Sequence, residues 1–230
     1  MSRAVPSPAS WKSALSPDQF AAEILADWPT DQARETLERL RRYESLLRKW
    51  QARINLVGPK TVSDIWGRHF LDSAQLFPFL PSEAQTLVDL GSGAGFPGLV
   101  LAILGADAHR PFVTHLVESD ARKAAFLIEV VRETGLTQAV HVHAARAETL
   151  AGKIPSADVI TARALAPVDR LVPLAMPLLA RDGILMLLKG AKVEDELTEA
   201  RRTWKMTSQR LRSRSDPSGE VLVLRDIHRD

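Results

Sequence analysis

Apolar and polar residues along this 230-residue chain follow two periods, and the change falls near residue 80. In the first part, apolar positions recur every three or four residues. Leu37, Leu40, Tyr43, Leu47 and Trp50 form one such stripe, with Leu46 beside it, and the spacing predicts a helix over 31–53. Similar patterns predict helices over 18–28 and 61–76. Pro78 and Pro81 interrupt the periodicity and close a helical region spanning 18–80. Residues 1–17 are rich in Ser, Pro and Ala, lack an apolar signal-peptide core and read as a disordered tail.

Over 81–230, short apolar runs alternate with helical patterns. Strands are expected at 86–90, 112–118, 139–143, 157–161 and 183–189, and helices at 96–104, 121–134, 167–179 and 192–203. Two further strand candidates, 206–212 and 219–226, flank the turn sequence Asp216-Pro217-Ser218-Gly219. Five βα units and a hairpin predict an α/β, Rossmann-like domain. Its sheet is seven-stranded and mainly parallel with an antiparallel edge, and the helical extension precedes it.

The first of these strands leads into the most informative segment. The apolar run of Leu87, Val88 and Leu90 stops at Gly91; Gly93, Gly95 and Gly98 follow, and Leu99 to Leu104 begin an apolar helix. Glycine lets a backbone approach a ligand closely, and the free N–H groups of a first helical turn face it, so the segment predicts a ligand cradle. Gly93-x-Gly95-x-x-Gly98 fits the dinucleotide fingerprint, which keeps an NAD-dependent oxidoreductase open. Gly91-x-Gly93-x-Gly95 preceded by Asp89 fits an S-adenosylmethionine (SAM) loop. A strand-end carboxylate repels a pyrophosphate. It attracts the ammonium and sulfonium of SAM, so Asp89 is expected to help hold that ligand directly or through water. The loop therefore favours SAM.

Candidate ligand contacts stand at the ends of the next strands. Glu118 closes the second and can accept both ribose hydroxyls of an adenosine, with Ser119 and Asp120 capping the following helix against the same ribose. Ala147 and Glu148, after the third, would meet the adenine edge. Arg163 in the exit loop of the fourth and Lys189, before Gly190, at the end of the fifth point to the same crevice. In the helical region, Arg68-His69-x-x-Asp72-Ser73 puts His69 and Asp72 one helical turn apart. Such close spacing on one helix does not build a nucleophile, base and orienter. It suits an ion pair and cap, or an RNA-contacting Arg/His pair.

Composition narrows the chemistry. The chain has no Cys, which removes disulfides, thiolate metal sites and the nucleophile needed to methylate a pyrimidine C5. No metal site is indicated. The Asn/Asp-Pro-Pro-Tyr/Phe motif of exocyclic amine methylation is absent after the fourth strand. A target with its own lone pair is left, such as a carboxylate or guanine N7. The latter carries no proton, so alignment suffices without a general base. Hydrophobic residues make up 45%, enough for a proper core, and no apolar run approaches the ~20 residues of a membrane span, so a cytoplasmic protein is expected. Net charge is only +2, but basic residues cluster in 34–53 and 201–214, and the second cluster has no acid within it. Such patches can track a phosphate backbone.

Taken together, these segments resemble the bacterial small-subunit ribosomal RNA guanine-N7 methyltransferases, the glucose-inhibited division protein B family. The matching residues are Ile54-Asn55-Leu56, Arg68-His69-x-x-Asp72-Ser73, Val88 to Gly98, Arg122-Lys123-x-x-Phe126-Leu127, Arg146-Ala147-Glu148, Arg163-Ala164 and Leu188-Lys189-Gly190. The resemblance implies a class I SAM-dependent methyltransferase fold. It implies methyl transfer from SAM to guanine N7 in 16S RNA near the decoding site, releasing S-adenosylhomocysteine. Gly91, Gly93, Phe96, Ala147, Glu148 and Arg163 would contact SAM, and Glu118, Ser119 and Asp120 its ribose. Arg68, His69, Arg163 and Lys189 would surround the target guanine. The partner would be 16S rRNA or the small subunit, and the chain a monomer. A SAM enzyme acting on a small molecule is the alternative reading.

Overall fold

The computed structural model describes residues 14–229. Two helices open it, α1 (Pro17–Ile24) and α2 (Thr30–Gln51). Ser16 caps α1 by accepting from the Gln19 N–H while the Gln19 side chain reaches back to the Ser16 N–H. Leu15 is buried and its N–H donates to Asp64 Oδ1 at 3.0 Å. Residues 15–17 are therefore held in place, because one apolar side chain and one cap tie them down. Residues 1–13 of the expected tail lie outside the described residues.

The helix expected over 61–76 is broken into pieces. A 3₁₀ segment (Pro59–Asp64) runs into a π-helical turn (Trp66–Leu71), then α3 (Asp72–Ala74) and a second 3₁₀ turn (Phe77–Phe79). Periodicity cannot tell these helix types apart, but they aim side chains differently. Arg68 and His69 sit on the π turn, an irregularity that recurs at functional sites.

The sheet follows, with strands β1 (Thr86–Leu90), β2 (Val113–Val117), β3 (Val140–His143), β4 (Ala157–Arg163), β5 (Leu179–Lys189), β6 (Trp204–Arg212) and β7 (Glu220–Arg229). Their order is β3-β2-β1-β4-β5-β7-β6, and β1 to β5 pair in parallel. β7 enters antiparallel between β5 and β6. The strand order reverses between β1 and β4, which opens a crevice at the carboxyl ends of the strands. The helices are α4 (Gly98–Asp107), α5 (Ala121–Glu133), α6 (Val168–Ala175) and α7 (Val193–Ala200). α6 is shorter than the expected 167–179; Met176–Leu178 tightens to 3₁₀, and Leu179 already belongs to β5.

The helical extension is not a separate body. Leu40, Tyr43 and Leu47 of α2 share one core with Phe70, Phe96, Leu99, Ile103 and Phe126. α4 is apolar all round because it is covered on one side by the sheet and on the other by the extension. Its buried Asp107 accepts from Thr36 Oγ1 at 2.9 Å and pairs with Arg39, which locks α2 across it. α4 also presses closely on β1: a Cβ on Gly98 would lie 2.5 Å from Asp89 Cβ. On the opposite sheet face, His115, His141 and His143 cluster on β2 and β3, with His115 Nδ1 2.9 Å from His143 Nε2.

Candidate active site

A cleft of about 840 Å³ opens at the carboxyl ends of β1, β2 and β4, within the usual range for a small-molecule site. The glycine loop forms its floor. Gly91, Gly93 and Gly95 all have positive φ, at 64°, 56° and 92°. Only glycine adopts these angles freely, so the loop can turn from strand to helix with its backbone exposed to the cleft. Glu118, at the end of β2, accepts from the Gly93 N–H at 2.9 Å and the Asp120 N–H at 2.7 Å. Each carboxylate oxygen keeps lone pairs free toward the cleft it lines.

Gly91, Gly93, Phe96, Glu118, Ser119, Arg68, His69, Arg163 and Lys189 all line this cleft, so the structure brings most of the expected site together. Asp120, Ala147 and Glu148 are not in its wall. Asp120 turns to cap α5, accepting from the Arg122 and Lys123 N–H groups. Ala147 packs on the second core, and Glu148 points to solvent.

Asp89 departs further from expectation. Strand alternation turns it away from the cleft, under α4, where it is fully buried. Its Oδ1 accepts from Thr161 Oγ1 at 2.6 Å. Its Oδ2 lies beside the Gly98 N–H, which lowers its pKa, yet has no partner at good hydrogen-bond geometry. Burial outweighs these bonds and pushes the carboxyl up to about 6. Asp89 braces β1 against β4 and α4 and does not line the cleft.

Arg163 is the centre of the site. Its Nη1 donates to Arg68 O at 3.1 Å and to Asp72 Oδ2 at 3.3 Å, and its Nη2 lies 2.9 Å from His69 Nδ1. The guanidinium also sits 4.9 Å from the centroid of Phe96, on which the His69 ring stacks at 4.9 Å. A guanidinium only donates, so His69 Nδ1 accepts and the ring proton sits on Nε2. That Nε2 donates to Thr61 Oγ1 at 2.8 Å, and Thr61 in turn donates to Gly58 O. Burial, then the charges of Arg163 and Arg68, lower the His69 pKa to about 3. His69 is thus neutral with both nitrogens engaged, and it has no free lone pair with which to act as a base.

The other two expected site cations are tethered. Arg68 donates to Ser215 O and Asp216 Oδ2 in the β6–β7 turn, which folds over to form a cleft wall. Lys189 donates to Ala166 O at 2.7 Å and pairs with Glu196 at 2.8 Å, fixing the exit loop of β4. Three arginines of the 201–214 basic cluster are also paired. Arg202 meets Glu199, Arg210 meets Glu220 and Glu194, and Arg214 meets Glu23. All these acids lie outside the cluster in sequence, so its run of bases overstated the free charge. Sequence reasoning missed Thr61, the Arg163 contact of Asp72 and the cleft wall formed by Ser213 and Asp216. Only Asp72 carried a signal, its spacing from His69.

Two buried histidines predict acid lability. His115 is lowered to about 4 by burial and then by His143 and His141, and His69 to about 3. An unfolded histidine titrates near ~6.5, so below that pH the unfolded chain binds more protons and stability falls. Asp89, raised to about 6, acts oppositely over ~4–6 and cancels about one proton of the two. Stability should therefore drop from pH 6.5 toward pH 4. Urea midpoints measured at pH 7, 5.5 and 4.5 should decrease, and His115→Phe should flatten the slope. A pH-independent midpoint would contradict both assignments.

The strand order and the glycine-floored cleft at its switch point define a class I methyltransferase fold. A proposed O-methyltransferase from Klebsiella pneumoniae superposes with a TM-score of 0.58 at 15% identity, over 90% of this chain and 95% of its own. The P. horikoshii protein TYW2, solved in complex with MeSAdo, gives 0.50 at 15% identity, over 77% of this chain and 65% of its own. The chain belongs to the rRNA small subunit methyltransferase G family, whose profile matches residues 36–218. The ribosomal RNA small subunit methyltransferase G of Paramagnetospirillum magneticum is 58% identical over 197 residues, 86% of this chain and 92% of that protein.

Proposed function

We propose that this chain transfers the methyl group of SAM to N7 of one guanine in 16S rRNA near the decoding site, alone or within the small subunit. The observation that carries the reading is the shared cleft, in which the glycine loop and the Arg163–His69–Phe96 stack face one space. Family membership and its relatives' names support the RNA substrate.

The residues fit SAM. Side chains at Gly91 and Gly93 would disturb the exposed floor, and Glu118 and Ser119 offer partners for ribose hydroxyls. When bound, SAM supplies a methyl carbon made electrophilic by the adjacent sulfonium. The chain's task is then to hold a purine in line with that carbon. Arg163 can spare Nε–H and one Nη2–H, which make no bond within the described residues, for the edge or phosphate of the target nucleotide. Phe96 and His69 give that cation a fixed seat. Guanine N7 has no proton to lose, which agrees with a neutral, fully bonded His69.

Labelled SAM supplied to naked 16S rRNA and to small subunits from a strain lacking this gene tests the reading. One 7-methylguanosine per RNA, at a single position, is expected. Label in another nucleoside, or in neither substrate, would overturn it.

A further inference from the structure

The glycine loop does not rest on its own sheet alone. Tyr43, in the middle of α2, donates its hydroxyl to Ala94 O, the carbonyl between Gly93 and Gly95. Its ring stacks on Phe96 at 5.5 Å with the planes only 12° apart. The far face of the same column holds His69, stacked on Phe96 at 4.9 Å, with the Arg163 guanidinium also 4.9 Å from the Phe96 centroid. One tyrosine from the helical extension thus supports both halves of the cleft, the floor directly and the cationic wall through Phe96. The fit is close: a Cβ added at Gly95 would overlap the Tyr43 hydroxyl.

From this we infer that Tyr43 is a positioning residue for the methyl donor: α2 sets the height and tilt of the 93–97 turn through the Tyr43–Ala94 hydrogen bond. Tyr43 itself is fully buried, lines no part of the cleft and touches no substrate. Burial raises its pKa well above the tyrosine range, so the hydroxyl stays protonated and donates at every working pH. Phenol is one of the few side-chain groups that can meet a carbonyl from across a packed aromatic layer, because its donor stands at the end of a rigid ring. Without that donor, Ala94 O has no hydrogen-bond partner among the described residues. The other bonds of the turn, from the Gly93 N–H to Glu118 and from the Gly95 and Phe96 N–H groups to Ser92 O, leave Ala94 O untouched, so this part of the turn should relax toward conformers that bind SAM poorly. The extension would then be part of the donor site as well as its cover.

The inference rests on SAM being the donor, so its test first measures SAM binding to the wild-type chain by calorimetry. Tyr43→Phe keeps the ring stack and removes only the hydroxyl. SAM affinity should fall about tenfold, in line with one orphaned buried acceptor, and the KM for SAM should rise alike. The KM for RNA and kcat at saturating SAM should stay within about twofold. A merely structural role would lower the melting temperature and leave the SAM constants unchanged, and that result would overturn the inference. A rise in both KM values together with a lower kcat would also overturn it, because the whole cleft would then have moved. If the wild-type chain itself binds no SAM, the proposed function fails, and this inference falls with it. Tyr43→Leu, which loses ring and hydroxyl, should weaken SAM binding at least as much as Tyr43→Phe; a loss in Tyr43→Leu with unchanged affinity in Tyr43→Phe would assign the role to the ring stack and overturn the hydrogen-bond inference.

Discussion

Arg163→Ala is expected to lower kcat for RNA methylation at least about 100-fold while SAM affinity changes less than about threefold. Arg163 has three protein partners that fix its guanidinium, Arg68 O, Asp72 and His69, plus the face of Phe96. So much holding force on one side chain leaves a single free donor edge with a defined direction. Under the proposed function that edge serves the RNA side of the cleft, and the glycine loop holds SAM without the Arg163 contact that the family resemblance implied. Losing a charged hydrogen bond to the target removes about 1.5–3 kcal/mol, and misorienting the purine adds to this. Arg163→Lys should not restore activity, because an ammonium cannot span those three partners and still present a fork. The His69 pKa offers an independent readout. Arg163 is the second-largest cause of its depression after burial, so in Arg163→Ala the His69 titration should move up from about 3. Steady-state kinetics, calorimetry with SAM and an NMR titration of the histidines check the three claims. A kcat within threefold of wild type would make Arg163 a structural side chain.

The parallel sheet was legible because strands buried on both faces give unbroken apolar runs, and glycines in the first turn stand out in any such chain. Gly91, Gly93 and Glu118 fell where strand ends must lie, so their place in the cleft followed. What escaped were facts set by direction in space. Asp89 sits at the right place in sequence, but alternation along β1 turns its carboxylate under α4. Asp120 serves the helix it begins, and Ala147 faces the core. Arg68 and Lys189 reach the cleft yet are tied to Asp216 and Glu196, 148 and 7 residues away. Long-range pairing of this kind leaves no local signal. The same holds for Tyr43, which in sequence is one more apolar position of a helical stripe.

Gly91→Val should abolish measurable SAM binding, a loss of at least about 100-fold, with little change in melting temperature. Gly91 has φ of 64°, and a β-branched residue there is a genuine outlier, so the turn must adopt another backbone course. Crowding is the lesser effect. An added Cβ would lie 2.6 Å from Leu165 Cδ1, but Leu165 is 42% exposed and can swing aside. The damage should therefore stay in the loop and spare the core beneath it. Gly93→Ala supplies the contrast: its Cβ would meet nothing nearer than Gly91 O at 3.8 Å, and alanine tolerates φ of 56° at a cost of about 1–2 kcal/mol. SAM affinity in Gly93→Ala should fall roughly tenfold and no more, since the Glu118 bond to the residue 93 N–H can persist. Calorimetry beside thermal melting separates the cases. Unchanged SAM affinity in Gly91→Val would remove the glycine loop from the donor site, and a collapse in melting temperature would show that Gly91 supports the fold instead.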